Sequence, residues 1–296
     1  MRPSRPKSKS FLATWPRRLV SLVGRPGRPV LLGGLIVAVF LGAWYFVWRE
    51  VRGHVLSSAD YVATPQEVEI TPLPSWIHVD IRTEVFRNAS LDGPLSIMDD
   101  NLAERIATAF SLHPWVAKVE RVAKQHPAKV KVQLEYRRPV LMVEVPGGLL
   151  PVDARGVLLP AGEFSPLEQS RFPRLVGVGT VPLGTAGEGW GEARVVGAAE
   201  IAAALGPAWD ELRLAQIVPY AASTAGRPDE IVYVLSTRGG TRIVWGSAPG
   251  RRGTGELPTA EKVAALKEYA AAHGTLEGRG GPQELDLRNL RPAAAR

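Results

Sequence analysis

The chain contains no cysteine. It therefore has no disulfide framework, no thiolate nucleophile and no cysteine-based zinc site. Acidic side chains are missing from the first 29 residues, which carry eight basic ones: Arg2, Arg5, Lys7, Lys9, Arg17, Arg18, Arg25 and Arg28. The formal charge of +7 rests on that tail, because the remainder has 28 basic residues against 29 acidic. A body so near neutrality has no counterion-release term for nucleic acid, and no nucleic-acid partner is expected. Its 30 glycines and 25 prolines follow no repeat, and 45% of its 296 residues are hydrophobic. That excludes collagen, coiled coil and wholesale disorder.

Beside the tail lies Val30 to Trp48, nineteen residues without a charge. As a helix it spans roughly 28 Å, close to the hydrocarbon thickness of a bilayer. It ends in Trp44, Tyr45, Phe46 and Trp48, side chains suited to a headgroup boundary, and has none of the polar stripe of a soluble helix. A cleaved signal peptide is the rival reading. It would need a shorter apolar run and a nearby small-x-small site, whereas Arg49 and Glu50 follow at once. An uncleaved anchor is expected, with residues 1–29 cytoplasmic by the positive-inside rule, 30–48 spanning, and 49–296 exported. Pro65, Pro72 and Pro74 make residues 49–75 an extended linker.

The fold class expected beyond it is α+β. The segment WIHVDIRTEVF reads as a strand, with Ile77, Val79 and Ile81 alternating with polar residues. Asp99 or Asp100 caps a helix with Leu102, Ile106, Ala109 and Phe110 on one face, stopping at His113 before Pro114. Val116 to Val122 suggests a bulged strand. Val130 to Arg137 alternates strictly, and VLMVEV after Arg138 and Pro139 adds a further strand. The VPGG segment marks a boundary near Val145 to Pro151, closing a unit over residues 76–145.

Few residues invite chemistry. There is no Gly-x-Ser-x-Gly elbow. The histidines His54, His78, His113, His126 and His273 have no metal spacing and read as surface or turn residues, so no metal or cofactor is expected. GVGTVPLG (177–184) lacks the dinucleotide-binding spacing and reads as a loop. Trp115 reads as a core plug more than a partner anchor. Arg137 and Arg138 read as a solvated pair, with anionic partners or lipid as the alternative.

The series IMDDNLAERIATAF, SLHPWVAKVERV and HPAKVKVQLEYRRPVLMVEV resembles the POTRA domain of the FtsQ/DivIB family of bacterial cell-division proteins. PVDARGVLLP (151–160), PRLVGVG (173–179) and the final QELDLRNL resemble steps of that family's second, β-rich domain. Between them the sequence predicts a helix from about Glu192 to Leu205, a strand Leu212 to Val218, a hairpin of IVYVL (231–235) and TRIVW (241–245), and a helix from Pro258 to His273. The stretch VFRNASLDGP departs from the family's opening strand and short helix.

The resemblance implies a POTRA domain over 76–145, a β-rich domain over 146–290 and a tail over 291–296. It also implies a non-enzymatic, single-pass scaffold of the division machinery in the cell (inner) membrane at the septum, its bulk periplasmic or extracytoplasmic. Its partners would be small coiled-coil membrane proteins like FtsB and FtsL and, through them, septal cell-wall synthesis enzymes. A membrane-anchored envelope enzyme and a POTRA protein of outer-membrane assembly or transport are the alternatives. The candidate partner-binding residues are Leu285, Asp286, Leu287, Arg288, Asn289 and Leu290. They lie on the last strand, where Leu285 and Leu287 can pack inward while the main-chain edge either stays open to a partner strand or, in a merely structural strand, is shielded by the RPAAAR tail.

Overall fold

The computed structural model describes residues 28–56, 58, 60–224, 227–251, 253, 255–277 and 283–288. Nearly all of the basic tail, the 291–296 tail, Asn289 and Leu290 lie outside them.

The first element, α1 (Arg28–Leu56), is long and apolar enough between Leu32 and Arg52 to cross a membrane. Every residue of that stretch is exposed, so no protein core explains its apolar character. Trp44 and Trp48, one turn apart, stack at 6.5 Å. The helix runs past Trp48 into the expected linker, since Arg49 to Arg52 includes no glycine or proline to stop it.

A mixed α+β body follows. Its smaller layer is a three-stranded sheet in the order β2 (Val68–Ile70), β5 (Lys129–Tyr136), β4 (Val116–Gln125). Strand β2 runs parallel to β5, and β4 runs antiparallel with two bulges. The alternation in β5 places Val130, Val132 and Leu134 inside, each contributing about 1.5–3 kcal/mol by burial. Helices α2 (Ile81–Asn88) and α3 (Leu102–Ser111) cover that face through Ile81, Val85, Phe86, Ile106 and Phe110. The short pair β1 (Val62–Ala63) and β3 (Leu95–Ser96) closes the layer's end.

Three expectations are corrected here. The strand over WIHVDIRTEVF is replaced by α2, because Asp80 caps a helix by accepting from the Thr83 N–H. The alternation of Ile77, Val79 and Ile81 was too short to compete with a cap followed by Ile81 and Val85 one turn apart. The linker over 49–75 is overturned in its second half: Ala63 and Val68 are fully buried and β2 belongs to the sheet. The boundary at Val145 to Pro151 is a hairpin turn joining β6 (Pro139–Val145) to β7 (Gly148–Asp153). Pro and Gly signal a chain reversal, and a hairpin needs one as much as a domain boundary does.

Strands β6 and β7 belong to the larger layer, a seven-stranded sheet in the order β12–β11–β10–β9–β8–β6–β7. Here β8 is Arg174–Leu175, β9 Leu214–Thr224, β10 Arg227–Thr237, β11 Arg242–Gly246 and β12 Glu284–Asp286. The pairs β6–β8, β8–β9 and β11–β12 are parallel and the rest antiparallel. The hairpin expected between β10 and β11 is present, turning at Gly239 and Gly240. Short helices α4 (Pro166–Gln169) and α6 (Ala208–Glu211) lie in connections, and α5 (Ala193–Leu205) and α7 (Thr259–His273) supply helical cover.

Small residues let α5 approach closely. A Cβ at Gly197 would lie 2.8 Å from the Ala248 Cβ and collide with the Tyr233 hydroxyl, which donates toward the Ala193 and Arg194 carbonyls. Burial raises the Tyr233 phenol's pKa well above its usual range. Gly197→Ala is expected to destabilise the chain by about 1–3 kcal/mol through overpacking, read as a lowered midpoint in urea denaturation. An unchanged midpoint would mean that α5 can lift off the sheet freely.

The two layers are stitched together. Strand β6 sends Leu141 and Val143 into the larger core and Met142 into the smaller. Leu159 and Phe164, from the segment after β7, also enter the smaller core.

Candidate partner-binding edge

Strand β12 ends the large sheet. Its register sets Glu284 against Arg242, Leu285 against Ile243 and Asp286 against Val244. The Arg242 N–H donates to the Gln283 carbonyl and the Leu287 N–H to the Val244 carbonyl. The main chain of residues 283 and 287 thus faces β11. By the alternation of a parallel ladder, that of Glu284 and Asp286 faces outward. This edge is covered by no other strand among the described residues.

The side chains follow the expected split. Leu287 is buried, Leu285 is partly buried against the large core, and Asp286 is exposed. Asp286 and Arg288 form a fork at 2.6 and 3.0 Å. Hydrogen bonding by Arg288 holds the Asp286 carboxyl below the usual range, and the same bond raises the guanidinium. The Arg288 N–H also donates to Asp286 Oδ1 (2.9 Å), which takes one donor away from the edge. The strand is shorter than the sequence implies, because this local Asx-type bond turns the chain after Asp286. Of the six candidate residues the structure brings Leu285, Asp286, Leu287 and Arg288 together; Asn289 and Leu290 lie outside the described residues.

Several residues that hold this edge escaped the sequence. Gln283 donates to the Tyr269 hydroxyl (2.6 Å) and the Leu276 carbonyl (3.2 Å), tying β12 to α7. Glu277 accepts from the hydroxyls of Thr237 and Thr241, and these bonds, Thr237's first, hold its carboxyl below the usual range. Behind β11 sits a buried ion pair. Lys262 Nζ lies 2.6 Å from Glu256 Oε2 and 2.7 Å from the Trp245 carbonyl, over the Trp245 ring. Glu256 also accepts from the Ser247 N–H and hydroxyl. Gly246 is required beside it: at φ +91°, a Cβ there would meet the Glu256 carboxylate at 2.7 Å. One signal for Lys262 was legible, since it stands one turn before the buried Leu266 on the face of α7 that should be apolar.

The other flagged residues are structural. Trp115 is fully buried, and its indole donates to Glu163 Oε1 (2.7 Å). Arg137 pairs with buried Asp153 at 2.8 Å, a correction to the solvated reading, while Arg138 stays exposed with its guanidinium over the Trp76 ring. The pair diverges because successive side chains at a strand end point to opposite sides. Helix α3 is preceded by Asn101, not capped by Asp99 or Asp100; Asp99 accepts from the Asn101 N–H and pairs with Arg105. The 177–184 segment has no regular structure. His78, His126 and His273 are exposed; His113 opens a turn, as the turn reading allows, but is buried, which corrects the surface reading. Pro114 lies within the turn closed by the Val116 N–H on the His113 carbonyl, and the Trp115 N–H donates to the His113 ring.

What this edge offers chemically is main-chain donors and acceptors beside a fixed charge pair, a pattern suited to binding an extended segment. A scan against protein-family models finds no match, and a search of curated proteins finds none either.

Proposed function

We propose that this chain is a single-pass membrane scaffold of the FtsQ/DivIB kind. It holds a POTRA domain and a β-rich domain outside the cytoplasm and binds other cell-division membrane proteins at the septum. The observation that carries this reading is the open edge of β12, at the end of a seven-stranded sheet with its leucines turned inward. Such an edge binds a partner strand through main-chain hydrogen bonds and needs no catalytic group. The strand–helix–helix–strand–strand order of the smaller layer, with β2 parallel to β5, is consistent with a POTRA domain. The apolar helix that precedes the body suits an anchor. On this reading the two domains meet at Arg137 and Arg138, where the chain leaves one sheet and enters the other.

The test is a crosslinking pull-down of the tagged chain from native membranes, read by mass spectrometry. The expected captures are small coiled-coil membrane proteins together with septal cell-wall synthesis enzymes. Glu284→Pro removes an outward-facing N–H and leaves both leucines in place, and proline is tolerated on an edge. The folded variant is expected to lose those captures. If it recovers them as wild type does, the edge is not the binding site.

Topology has its own prediction. A phosphatase reporter fused after Arg296 is expected to be active in the exported compartment, and one fused at Thr14 inactive. The reverse pattern would overturn the scaffold reading.

A further inference from the structure

One buried histidine stands beside the seam between the two layers, in contact with Trp115. His113 follows α3 and is 7% exposed. Its Nδ1 accepts a hydrogen bond from the Trp115 main-chain N–H at 3.3 Å. A ring nitrogen that accepts carries no proton, so the imidazole is neutral with its proton on Nε2. That Nε2 is buried without a hydrogen bond among the described residues, 3.5 Å from Glu84 Oε2.

Trp115, held by that bond, is one of the residues through which the layers grip each other. Its indole N–H donates to Glu163 Oε1, and its ring packs 6.0 Å from Phe164; both partners come from the segment after β7. Phe164 in turn packs edge-on against Phe172. The second carboxylate oxygen of Glu163 is buried and has no hydrogen-bond partner among the described residues.

We infer that His113 is an acid-sensitive latch: adding a proton to Nδ1 turns its acceptor into a donor facing the Trp115 N–H, and so releases Trp115 and loosens the seam. The reason is local chemistry. Two N–H groups cannot share one hydrogen bond, and at this buried position one of them is left unpaired unless the segment moves.

The charged groups around the latch bear on the direction. Glu84 on α2 and Glu163 after β7 both favour the charged imidazole, but burial outweighs them and holds His113 below the ordinary imidazole range. A group with a depressed pKa binds its proton more readily unfolded. Stability is therefore complete above the ordinary value of about 6.5 and is lost as pH falls below it. The other charges on the seam do not reverse this. Arg137 and Asp153 face each other as a buried pair at 2.8 Å. His78 and Glu168 face each other at 3.4 Å with both side chains substantially exposed, and a screened pair of that kind is worth little.

The experiment is hydrogen–deuterium exchange on the full chain in lipid nanodiscs, from about pH 7.5 to about pH 4.5, a window that brackets the ordinary imidazole value. Rates are corrected for the intrinsic effect of pH. In wild type, protection of the Trp115 amide and of residues 159–165 is expected to fall by about tenfold or more as the pH drops. His113→Asn offers an acceptor oxygen near the Nδ1 position that does not titrate, and its protection at the seam is expected to stay flat. An identical acid response in wild type and His113→Asn, or a flat response in wild type, overturns the inference. Should His113→Asn fold poorly, the wild-type ring itself decides. Nitrogen-15 shifts should give the Nε2–H tautomer at neutral pH and a titration in step with the loss of Trp115 protection. An Nδ1–H tautomer at neutral pH overturns the inference equally. His78→Asn is the control for the second histidine and is expected to leave the response in place.

Discussion

Lys262→Met is expected to cost the folded chain about 3–5 kcal/mol, the range for leaving one partner of a buried ion pair alone. Lys262 is 2% exposed, and removing it strips Glu256 of its counter-charge and the Trp245 carbonyl of a donor. Ser247 still donates to Glu256, but two neutral donors do not replace an ammonium. Methionine fills much of the lysine stem's volume, so the loss reads the charge and not a cavity. Lys262→Met combined with Glu256→Gln removes both charges and keeps an acceptor for Ser247. It is expected to return to within about 1.5 kcal/mol of wild type, the coupling that a double-mutant cycle isolates. Urea denaturation followed by tryptophan fluorescence measures wild type, Lys262→Met, Glu256→Gln and the double variant. A single-mutant cost below about 1 kcal/mol would mean that the pair behaves as a solvated surface bridge. Because the pair lies between α7 and β11, directly behind β12, the single variant should also weaken partner capture at the edge.

Elements whose pattern is long and repeated were legible in the sequence. Strand β5 alternates over eight residues and α7 repeats its apolar face over fifteen, and both stand where the periodicity puts them. The long apolar helix α1 follows from composition alone. What was not legible depends on partners far away in the chain. The valines of VLMVEV fit any sheet; only pairing with β8, some thirty residues later, assigns β6 to the large one. The Pro–Gly turn at residues 146–148 reads identically as a boundary or a hairpin until Val145 is seen opposite Gly148. Strand β2 is three residues long, below the length at which a pattern exists, and is recruited by parallel pairing with β5. In the candidate site, the leucine and charge alternation of residues 285–288 was legible because it is local. The supports from Glu277 and Gln283 were not, and for Lys262 only its place on the apolar face of α7 was, not its partners, since each reaches another element through a polar side chain.

Arg137 and Arg138 adjoin in sequence, and substituting each in turn is expected to give opposite results. Arg137→Met should destabilise the chain by about 3 kcal/mol or more, because it leaves the Asp153 carboxylate, 5% exposed, without its only charged partner among the described residues. The Arg155 and Val157 N–H groups still donate to Asp153 Oδ1, but Oδ2 loses its bond to the guanidinium. That bond crosses from the end of β5 to the end of β7, so its loss should also raise hydrogen exchange where the two layers meet. Arg138→Met loses only a cation–π contact 5.9 Å from the Trp76 ring at an exposed site, worth about 0.5–1 kcal/mol. The Trp76 indole keeps its bond to the Arg137 carbonyl in both variants, so neither result is confounded by the ring moving away. Denaturation midpoints for the two variants decide the matter. Equal small losses would mean that Arg137 is solvated and the layers are not clasped there; equal large losses would mean that the Arg138 ring contact carries the junction instead.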